Sequence, residues 1–287
     1  MKPVAPRKLL DRHRVFNRNS AGCWTSFTSH RERVAALLTE DEPGGRLLVL
    51  GAGNGNDLDL ELLGARFAEI HLVDIDEEAM ARLAERLLTE RRARFVQHVP
   101  VDATGVLSQL TPASLASGSE LEIQTRIDAL AAAGQAEVLA RLPGPFDLVL
   151  SAALLSQIMF SCRLCLGETH RHLPALAQAL VIAHLKALVA LTAPRGRAVL
   201  VTDAVSSETY PLEELWDQQP PMALLERLEN DENVFSGVGP VFLRRMLGRE
   251  AGVRDKLRVP PRFIEPWLWR LGNDVSLMAY AIVLEVR

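Results

Sequence analysis

Residues 47–58 read LLVLGAGNGNDL, an apolar run that breaks into glycines at positions 51, 53 and 55. An amphipathic segment follows directly, so the pattern predicts a strand, a tight loop and the start of a helix. Glycine has no Cβ, so its backbone can adopt a positive φ and lie close to a ligand. The stretch therefore predicts the first unit of a nucleotide-binding α/β sheet.

The residues after this loop favour some nucleotides over others. The dinucleotide fingerprint G-x-G-x-x-G requires glycine at position 56, where this chain has Asn56. The following helix opens with Asp57, Asp59 and Glu61, which suit the positive end of a helix dipole but would repel a pyrophosphate. A nucleoside that carries cationic groups fits this loop better than NAD, and an NAD-dependent dehydrogenase is the least favoured of the enzyme hypotheses.

A second acidic position lies at the end of the next predicted strand, residues 69–74. Asp74 follows Gly51 by 23 residues. A carboxylate at this place in a nucleotide-binding sheet can accept hydrogen bonds from both ribose hydroxyls. Asp74 is therefore the predicted ribose anchor, and Asp76 is predicted to cap the helix that follows it.

Five motifs follow one another between about residues 44 and 203: LLVLGAGNG, HLVDID, VPVDAT, FDLVLSAAL and GRAVLVTD. This series resembles that of the class I S-adenosylmethionine-dependent methyltransferases. The resemblance implies an α/β fold with a doubly wound, mostly parallel seven-stranded sheet of order 3-2-1-4-5-7-6 and helices on both faces. It also implies an N-terminal helical cap or lid at 1–40 and a cofactor-binding methyltransferase domain at 41–287, with helical insertions at about 105–143 and 204–259.

The resemblance implies S-adenosyl-L-methionine as the cofactor and a set of residues that contact it. These are Gly51, Ala52, Gly53, Asn54, Gly55, Asp74, Ile75, Asp102, Ala103 and Ser151. Asp102 has an alternative role as a simple helix cap before Thr104. The chain departs from the family at Val49, where an acidic residue is usual two places before the first glycine, so contacts to the methionine end are in question.

Charge bears on the methyl acceptor. The formal net charge of −4 argues against a broad nucleic-acid surface, although the first 34 residues hold eight basic residues against two acidic ones. This segment is either a basic cap over an acidic domain or an arm that binds RNA. After the predicted fourth strand, residues 151–157 read SAALLSQ and lack the D-P-P-Y or N-P-P-Y element of amino-methylating nucleic-acid enzymes.

These observations favour a small-molecule acceptor and make nucleic acid an unlikely partner. Two alternatives stay open: an RNA or protein methyltransferase that uses the basic N-terminal arm, and a non-catalytic S-adenosylmethionine-binding regulatory protein. Methyl transfer is a direct displacement that depends mainly on proximity and alignment. The sequence leaves the acceptor atom, the general base and the oligomeric state open.

Cysteine usage and hydropathy bear on the compartment. Three cysteines do not make a secreted disulfide framework, and the N-terminus lacks the apolar core of a signal peptide. The most apolar long stretch, residues 173–193, contains Gln178, His184 and Lys186, which favours a buried helix over a membrane span. We expect a cytoplasmic protein without a membrane-spanning segment.

A group of cysteines and histidines lies between the predicted fourth and fifth strands. Cys162, Cys165, His170 and His172 could supply four zinc ligands, but their spacing is not a familiar zinc pattern, so no metal is predicted. In a helix the two cysteines would share an apolar face. His170 and His172 are weak candidates for a general base, with the histidines at 13 and 30 as rivals.

The remaining pattern predicts individual elements and several pocket candidates. We expect a helix over 28–39, strands over 94–101, 146–151 and 198–202, two helices within 105–143 broken at Gly134, helices over 212–228 and 241–247, and a hairpin of 263–269 with 276–286. Trp24 and Phe27 either form a lid over the cofactor or pack on the sheet edge. Asp203 either orients a substrate amine or hydroxyl, or caps a turn with Ser206 and Ser207.

Overall fold

Seven strands form one mixed sheet in the computed structural model, which describes residues 6–40, 44–111, 115–272 and 274–287. The strands are β1 Arg46–Leu50, β2 Glu69–Val73, β3 Phe95–His98, β4 Phe146–Ala152, β5 Thr192–Ser206, β6 Arg262–Gly272 and β7 Val275–Glu285. Their order is β3-β2-β1-β4-β5-β7-β6. Strand β7 runs antiparallel to both of its neighbours, and the other pairings are parallel. The predicted α/β class and strand order are confirmed.

Helices cover both faces of this sheet, as predicted. They are α1 Pro6–Ser20, α2 Thr28–Leu38, α3 Leu60–Arg66, α4 Glu77–Glu85, α5 Glu120–Arg141, α6 Leu154–Leu166, α7 Leu173–Leu191, α8 Leu212–Leu215, α9 Pro221–Asn230, α10 Pro240–Arg249 and α11 Ala251–Arg254. Because strand side chains alternate, Leu47 and Val49 pack with α2, α3 and α4, whereas Leu48 packs with α5, α6 and α7. The two cores form on opposite faces.

Local chemistry sets the helix starts that flank the site. Asp59 caps α3 by accepting a hydrogen bond from Leu62 N at 2.9 Å. Asp76 caps α4 by accepting one from Glu78 N at 3.1 Å, which confirms its predicted role. Both side chains satisfy backbone N–H groups that the first helical turn leaves free.

The insertion at 105–143 holds one long helix, so the prediction of two helices was wrong. Gly134 lies inside α5 rather than ending it. A Cβ at Gly134 would lie 2.3 Å from Val106 Cγ1 and 2.7 Å from the Thr104 carbonyl oxygen. The glycine therefore permits close packing of the helix against the preceding loop, and tertiary contact outweighs its low helix propensity.

The segment 204–259 also differs from its prediction. The single helix expected over 212–228 is divided into α8, a 3-10 turn Trp216–Gln218, and α9. Proline lacks the N–H that continues a helix, so Pro220 and Pro221 interrupt the pattern and α9 begins at Pro221. The helix expected over 241–247 is confirmed within α10.

Several strand boundaries shift. Strand β3 is shorter than predicted, and β5 starts at Thr192, six residues before the predicted start at 198. The first residues of β5 belong to the sheet because Thr192 pairs with Phe146 and Arg195 N donates to the Val286 carbonyl oxygen at 3.1 Å. The hairpin of β6 and β7 is confirmed at the sheet edge, with a register shift around Pro266.

The N-terminal helical cap predicted at residues 1–40 lies partly outside the described residues. The first five residues of the segment 1–40, the boundary residue Asp41 and Asn273 of the hairpin turn are not among them. Helix α2 confirms the helix expected over 28–39 and packs against β6. Helix α1 packs against α4 and α6, which lie on either side of the glycine loop.

Helix α7 carries the most apolar stretch of the chain. Its 19 residues are long and apolar enough to cross a membrane by length and composition. In the fold it packs against α5, α6, β4 and β5, and eleven of its side chains are buried. Burial in this core accounts for the apolar composition, in line with the sequence prediction of a buried helix.

Candidate functional site

A cavity of about 670 Å³ opens at the carboxyl ends of the parallel strands and is bordered by α1 and α6. It lies where the strand order reverses, with β2 on one side of β1 and β4 on the other. Open parallel sheets bind their ligands at this switch point. The cavity falls within the size range of small-molecule sites, about 300–1,000 Å³.

The glycine loop forms one wall. Gly51, Gly53 and Gly55 have φ values of +82°, +49° and +68°, which favour glycine. A Cβ at Gly51 would lie 2.9 Å from the Ala152 carbonyl oxygen. Four predicted cofactor residues line the cavity here: Gly51, Ala52, Gly53 and Asn54. Gly55 is not among the lining residues, because it packs toward α4, where an added Cβ would lie 2.8 Å from Leu83.

Asp74 holds the loop and also reaches the cavity. Its Oδ2 accepts a hydrogen bond from Gly53 N at 2.7 Å, and its Oδ1 accepts one from Asp76 N at 2.9 Å. Burial raises the pKa of Asp74, and these backbone hydrogen bonds oppose that shift. Asp74 and Ile75 both line the cavity. A carboxylate has about four acceptor positions, so Asp74 can still accept bonds from a ligand.

The end of the third strand supplies the next pair of predicted residues, Asp102 and Ala103, which both line the cavity. Asp102 accepts hydrogen bonds from Thr104 N at 2.8 Å and Leu107 N at 2.7 Å. These bonds hold a turn at residues 103–104 and not the start of a helix, so the helix cap considered for Asp102 was wrong, and its carboxylate instead shapes this wall. Its contact with an adenine amino group stays a prediction.

Ser151 does not reach the cavity, contrary to its predicted role. Its side chain is fully buried, and its hydroxyl lies 2.8 Å from His184 Nε2. Burial lowers the pKa of His184 to about 4, so this ring is neutral at pH 7. The residues that follow Ser151, Ala152 and Ala153, line the cavity instead.

The nominated bases His170 and His172 also lie outside the cavity lining, so the structure does not support them. His172 is buried and lies 3.6 Å from Glu120 at the start of α5. The rival candidate His13 does line the cavity, where its ring contacts Gln157 Oε1 at 3.0 Å and Ser161 Oγ at 2.8 Å. Burial lowers the pKa of His13.

The two cysteines beside these histidines share the buried face of α6, as their spacing suggested. Cys162 and Cys165 are free, and burial raises the pKa of both thiols. Among the described residues, no group of three or more metal-ligating side chains is placed to hold an ion. Packing explains the two cysteines.

Helix α1 is tied directly to the glycine loop. Asn54 Nδ2 donates to the Asn17 carbonyl oxygen at 2.6 Å, and Asn56 Nδ2 donates to the Ser20 carbonyl oxygen at 2.7 Å. Asn17 Nδ2 in turn donates to Asp76 Oδ2 at 3.1 Å. These bonds hold the N-terminal helix over the loop, so α1 covers the cavity.

Trp24 supports this arrangement from outside the cavity. The guanidinium carbons of Arg31 and Arg86 each lie 3.4 Å from the centre of a Trp24 ring. Arg86 also donates to the Asn54 carbonyl oxygen at 2.9 Å, and Arg31 donates to that of Asn56 at 3.0 Å. Trp24 thus braces the loop through two arginines, whereas Phe27 is buried against Trp269 and lines the cavity.

Three further carboxylates line the cavity: Asp57, Asp203 and Glu208. Asp203, at the end of β5, accepts a hydrogen bond from Ser156 Oγ at 2.5 Å, and burial raises its pKa. This placement favours the substrate-facing role over the turn cap, since Ser206 instead bonds to Glu208. Sequence reasoning assigned Asp57 only to a helix dipole, because its place in the same cavity as Asp203 depends on the fold. Burial raises the pKa of Asp57 to about 7.

The strand order with an antiparallel seventh strand, together with this loop and cavity, decides the fold type. The chain has the class I methyltransferase fold. Its sequence matches no family model and no curated protein. The fold is similar to solved structures that include methyltransferases, at low identity throughout.

Three of these solved structures illustrate the similarity. N-methyltransferase NodS from Bradyrhizobium japonicum is 11% identical over 90% of this chain and 95% of its own, with a TM-score of 0.45. YcgJ protein from Bacillus subtilis is 13% identical over 90% and 99%, with a TM-score of 0.48. TrmN from Thermus thermophilus is 15% identical over 93% and 52%, with a TM-score of 0.42. At these values the similarities carry no weight for substrate or residue roles.

Proposed function

We propose that the protein is an S-adenosylmethionine-dependent methyltransferase that acts on a small molecule. The observation that carries the proposal is the convergence of the glycine loop and Asp74 on one cavity, at the switch point of a class I methyltransferase sheet. The loop presents backbone without Cβ atoms, and Asp74 offers free acceptor positions. This is the chemistry that an adenosyl ligand requires.

The chain offers distinct groups to each part of such a cofactor. Asp74 would accept hydrogen bonds from the ribose hydroxyls, while Ile75, Asp102 and Ala103 would border the adenine. Val49 cannot contribute at the methionine end, because it is fully buried and packs in the core beneath the sheet. The residues that bind the methionine end must therefore be others.

The bound cofactor would supply a methyl group already activated on a sulfonium. The protein would align the acceptor and exclude water, and α1, bonded across the loop, covers part of the cavity for that purpose. A protonated acceptor needs a group to take its proton. Asp203 and His13 both line the cavity and can serve, whereas His170 and His172 cannot reach it.

A cavity of small-molecule size that α1 partly covers supports a small acceptor over RNA or protein. The basic N-terminal segment is folded as part of this cover, and two of its arginines pair with acidic groups: Arg14 with Asp11 at 3.8 Å and Arg18 with Glu78 at 3.4 Å. We therefore propose no nucleic-acid partner and no metal. The three free cysteines fit the proposed cytoplasmic location.

Calorimetric titration with S-adenosylhomocysteine, S-adenosylmethionine and NAD tests the proposal. We expect the two adenosyl ligands to bind, NAD not to bind, and Asp74→Ala to lose binding. Glu77→Ala, which changes an exposed carboxylate three residues away, is the matched control and should bind normally. Failure of the wild-type protein to bind either adenosyl ligand would refute the proposal.

Turnover separates the remaining alternatives. Methyl transfer to members of a small-molecule panel supports the proposed acceptor class. Tight cofactor binding without turnover of any acceptor would instead indicate a regulatory protein. Binding to RNA that weakens steeply with salt would favour the arm-based alternative.

A further inference from the structure

The cavity has an excess of acidic side chains. Its acidic lining residues are Asp57, Asp74, Asp102, Asp203 and Glu208, whereas Arg163 and His13 are its basic ones. Asp74 and Asp102 are each engaged by two or more backbone N–H groups. Asp57, Asp203 and Glu208 have no such engagement, but Glu208 is exposed to solvent. Asp57 and Asp203 are therefore the shielded carboxylates left to meet a ligand.

Asp57 has few partners within the described part of the chain. Its Oδ1 is buried and accepts no hydrogen bond, and the nearest charged or titratable group, His30 Nε2, lies 3.5 Å away. His30 Nδ1 accepts a hydrogen bond from Trp267 Nε1, and burial lowers the pKa of His30 to about 3. The ring is therefore neutral and gives Asp57 no compensating charge.

The neighbouring cation Arg31 does not take this place. Its guanidinium donates to the carbonyl oxygens of Trp24 and Asn56 and to Thr28 Oγ1, and it stacks on Trp24. Arg31 lowers the pKa of Asp57 only partly against the larger effect of burial. A buried carboxylate without a hydrogen-bonded or paired cation is unfavourable.

Asp203 approaches from the other side of the switch point. It is 8% exposed, and Ser156 Oγ is the one side-chain donor to its carboxylate among the described residues. Both carboxylates line the same cavity, and the charge on Asp203 adds to the effect of burial in raising the pKa of Asp57. Two acidic groups that line one cavity, neither in an ion pair with a lysine or arginine of the described residues, are complementary to a positively charged ligand group.

We propose that Asp57 and Asp203 together bind an ammonium group within the cavity. The inference rests on the proposed function for the source of that group, which is either the amino group of the cofactor's methionine end or the amine of the methyl acceptor. The first source would supply the contact that Val49 cannot make. The second would make the acceptor a small amine. In both cases the recognition chemistry is the same: carboxylates that accept charge-assisted hydrogen bonds from an ammonium.

Three variants test this proposal. Asp57→Asn and Asp203→Asn keep the side-chain shape and remove the charge. Asp59→Asn is the matched control, because it makes the same change two residues away, outside the cavity lining, and asparagine also caps helices. Thermal unfolding of each variant confirms that it is folded before binding is measured.

The ligands distinguish the two sources. S-adenosylhomocysteine carries the amino group, and 5′-methylthioadenosine lacks the whole amino-acid end. Hexylamine and 1-hexanol, titrated into protein saturated with S-adenosylhomocysteine, differ at one terminal group. Loss of one charge-assisted interaction should weaken binding about 10- to 100-fold in Kd.

Weaker binding of S-adenosylhomocysteine to both cavity variants, with unchanged binding of methylthioadenosine, would support the proposal and assign the ammonium to the cofactor. Unchanged adenosyl binding with a lost preference for hexylamine over hexanol would support it and assign the ammonium to the acceptor. Equal weakening of both adenosyl ligands, or no change with any ligand, would overturn it. If the wild-type protein binds no adenosyl ligand, the proposed function fails, and hexylamine and hexanol still test the carboxylate pair on the unliganded protein.

Discussion

The substitution Asp57→Asn should stabilise the unliganded protein, and the gain should grow with pH. Burial raises the pKa of Asp57 from 3.8 to about 7. Between these pH values the folded chain holds a proton on Asp57 that the unfolded chain has released. The free energy of unfolding therefore falls as pH rises through this window, and the loss is complete above about pH 7. Asparagine cannot ionise, so the variant avoids this loss.

The size of the effect follows from the same shift. A rise from 3.8 to about 7 corresponds to about 4 kcal/mol, at 1.36 kcal/mol per pKa unit. The side chain keeps 18% exposure, which reduces the penalty of ionisation. From pH 5 to pH 8 the portion of the shift that is sampled is about two units, so we expect the variant to gain about 2–3 kcal/mol relative to the wild type.

Urea unfolding followed by circular dichroism, at pH 5, 6, 7 and 8, measures this difference. Other groups titrate in the same range, but they are common to both proteins and cancel in the comparison. Asp59→Asn, the matched control, should show no growing gain. A difference between Asp57→Asn and wild type that stays constant from pH 5 to pH 8 would refute the reasoning about Asp57.

Three further predictions concern the core, a buried histidine and the loop brace. Gly134→Ala should destabilise the protein by about 1–3 kcal/mol in thermal unfolding, because the added methyl group overpacks the contact with the loop. Gly248→Ala, in a helix with open space around the glycine, should instead stabilise it by up to about 1 kcal/mol. Equal effects of the two substitutions would contradict the packing argument. Burial lowers the pKa of His184 from 6.5 to about 4, so the unfolded chain binds a proton at this residue before the folded chain does. The free energy of unfolding should therefore fall by about 1.4 kcal/mol per pH unit as pH falls below 6.5. His184→Gln should lack this slope, and matching slopes in the two proteins would disprove the assignment. Trp24→Ala removes the ring between Arg31 and Arg86 and should weaken S-adenosylhomocysteine binding about 3- to 30-fold in Kd, measured by calorimetry. Unchanged affinity would show that the loop keeps its conformation without the Trp24 contacts.

The sequence by itself determined the sheet and the position of the loop. Apolar runs that end in glycine, aspartate or serine predicted β1, β2 and β4, because a strand buried on both faces reads as a continuous apolar segment. Asp74, Asp76 and the glycines at 51 and 53 were predicted for the same reason. Their roles depend on local backbone geometry that neighbouring residues fix.

Structural roles that depend on contacts between distant parts of the chain could not be predicted from the sequence. Gly134 looks like a helix break until the loop at Val106 is packed against it. Ser151 lies near the end of the buried strand β4, where the alternation of side chains turns it away from the cavity and toward His184 on α7. Neither contact is encoded within a short stretch of sequence.

The composition of the cavity was decided by the tertiary structure alone. Asp57 and Asp203 are 146 positions apart in the chain, and the sheet order brings them to the same switch point. His13 enters the site because α1 folds back across the glycine loop, whereas His170 and His172 are carried away beside the start of α5. Sequence pattern records which face of an element is buried, but the electrostatics of a cavity depend on which distant side chains share it, and that depends on how the elements pack.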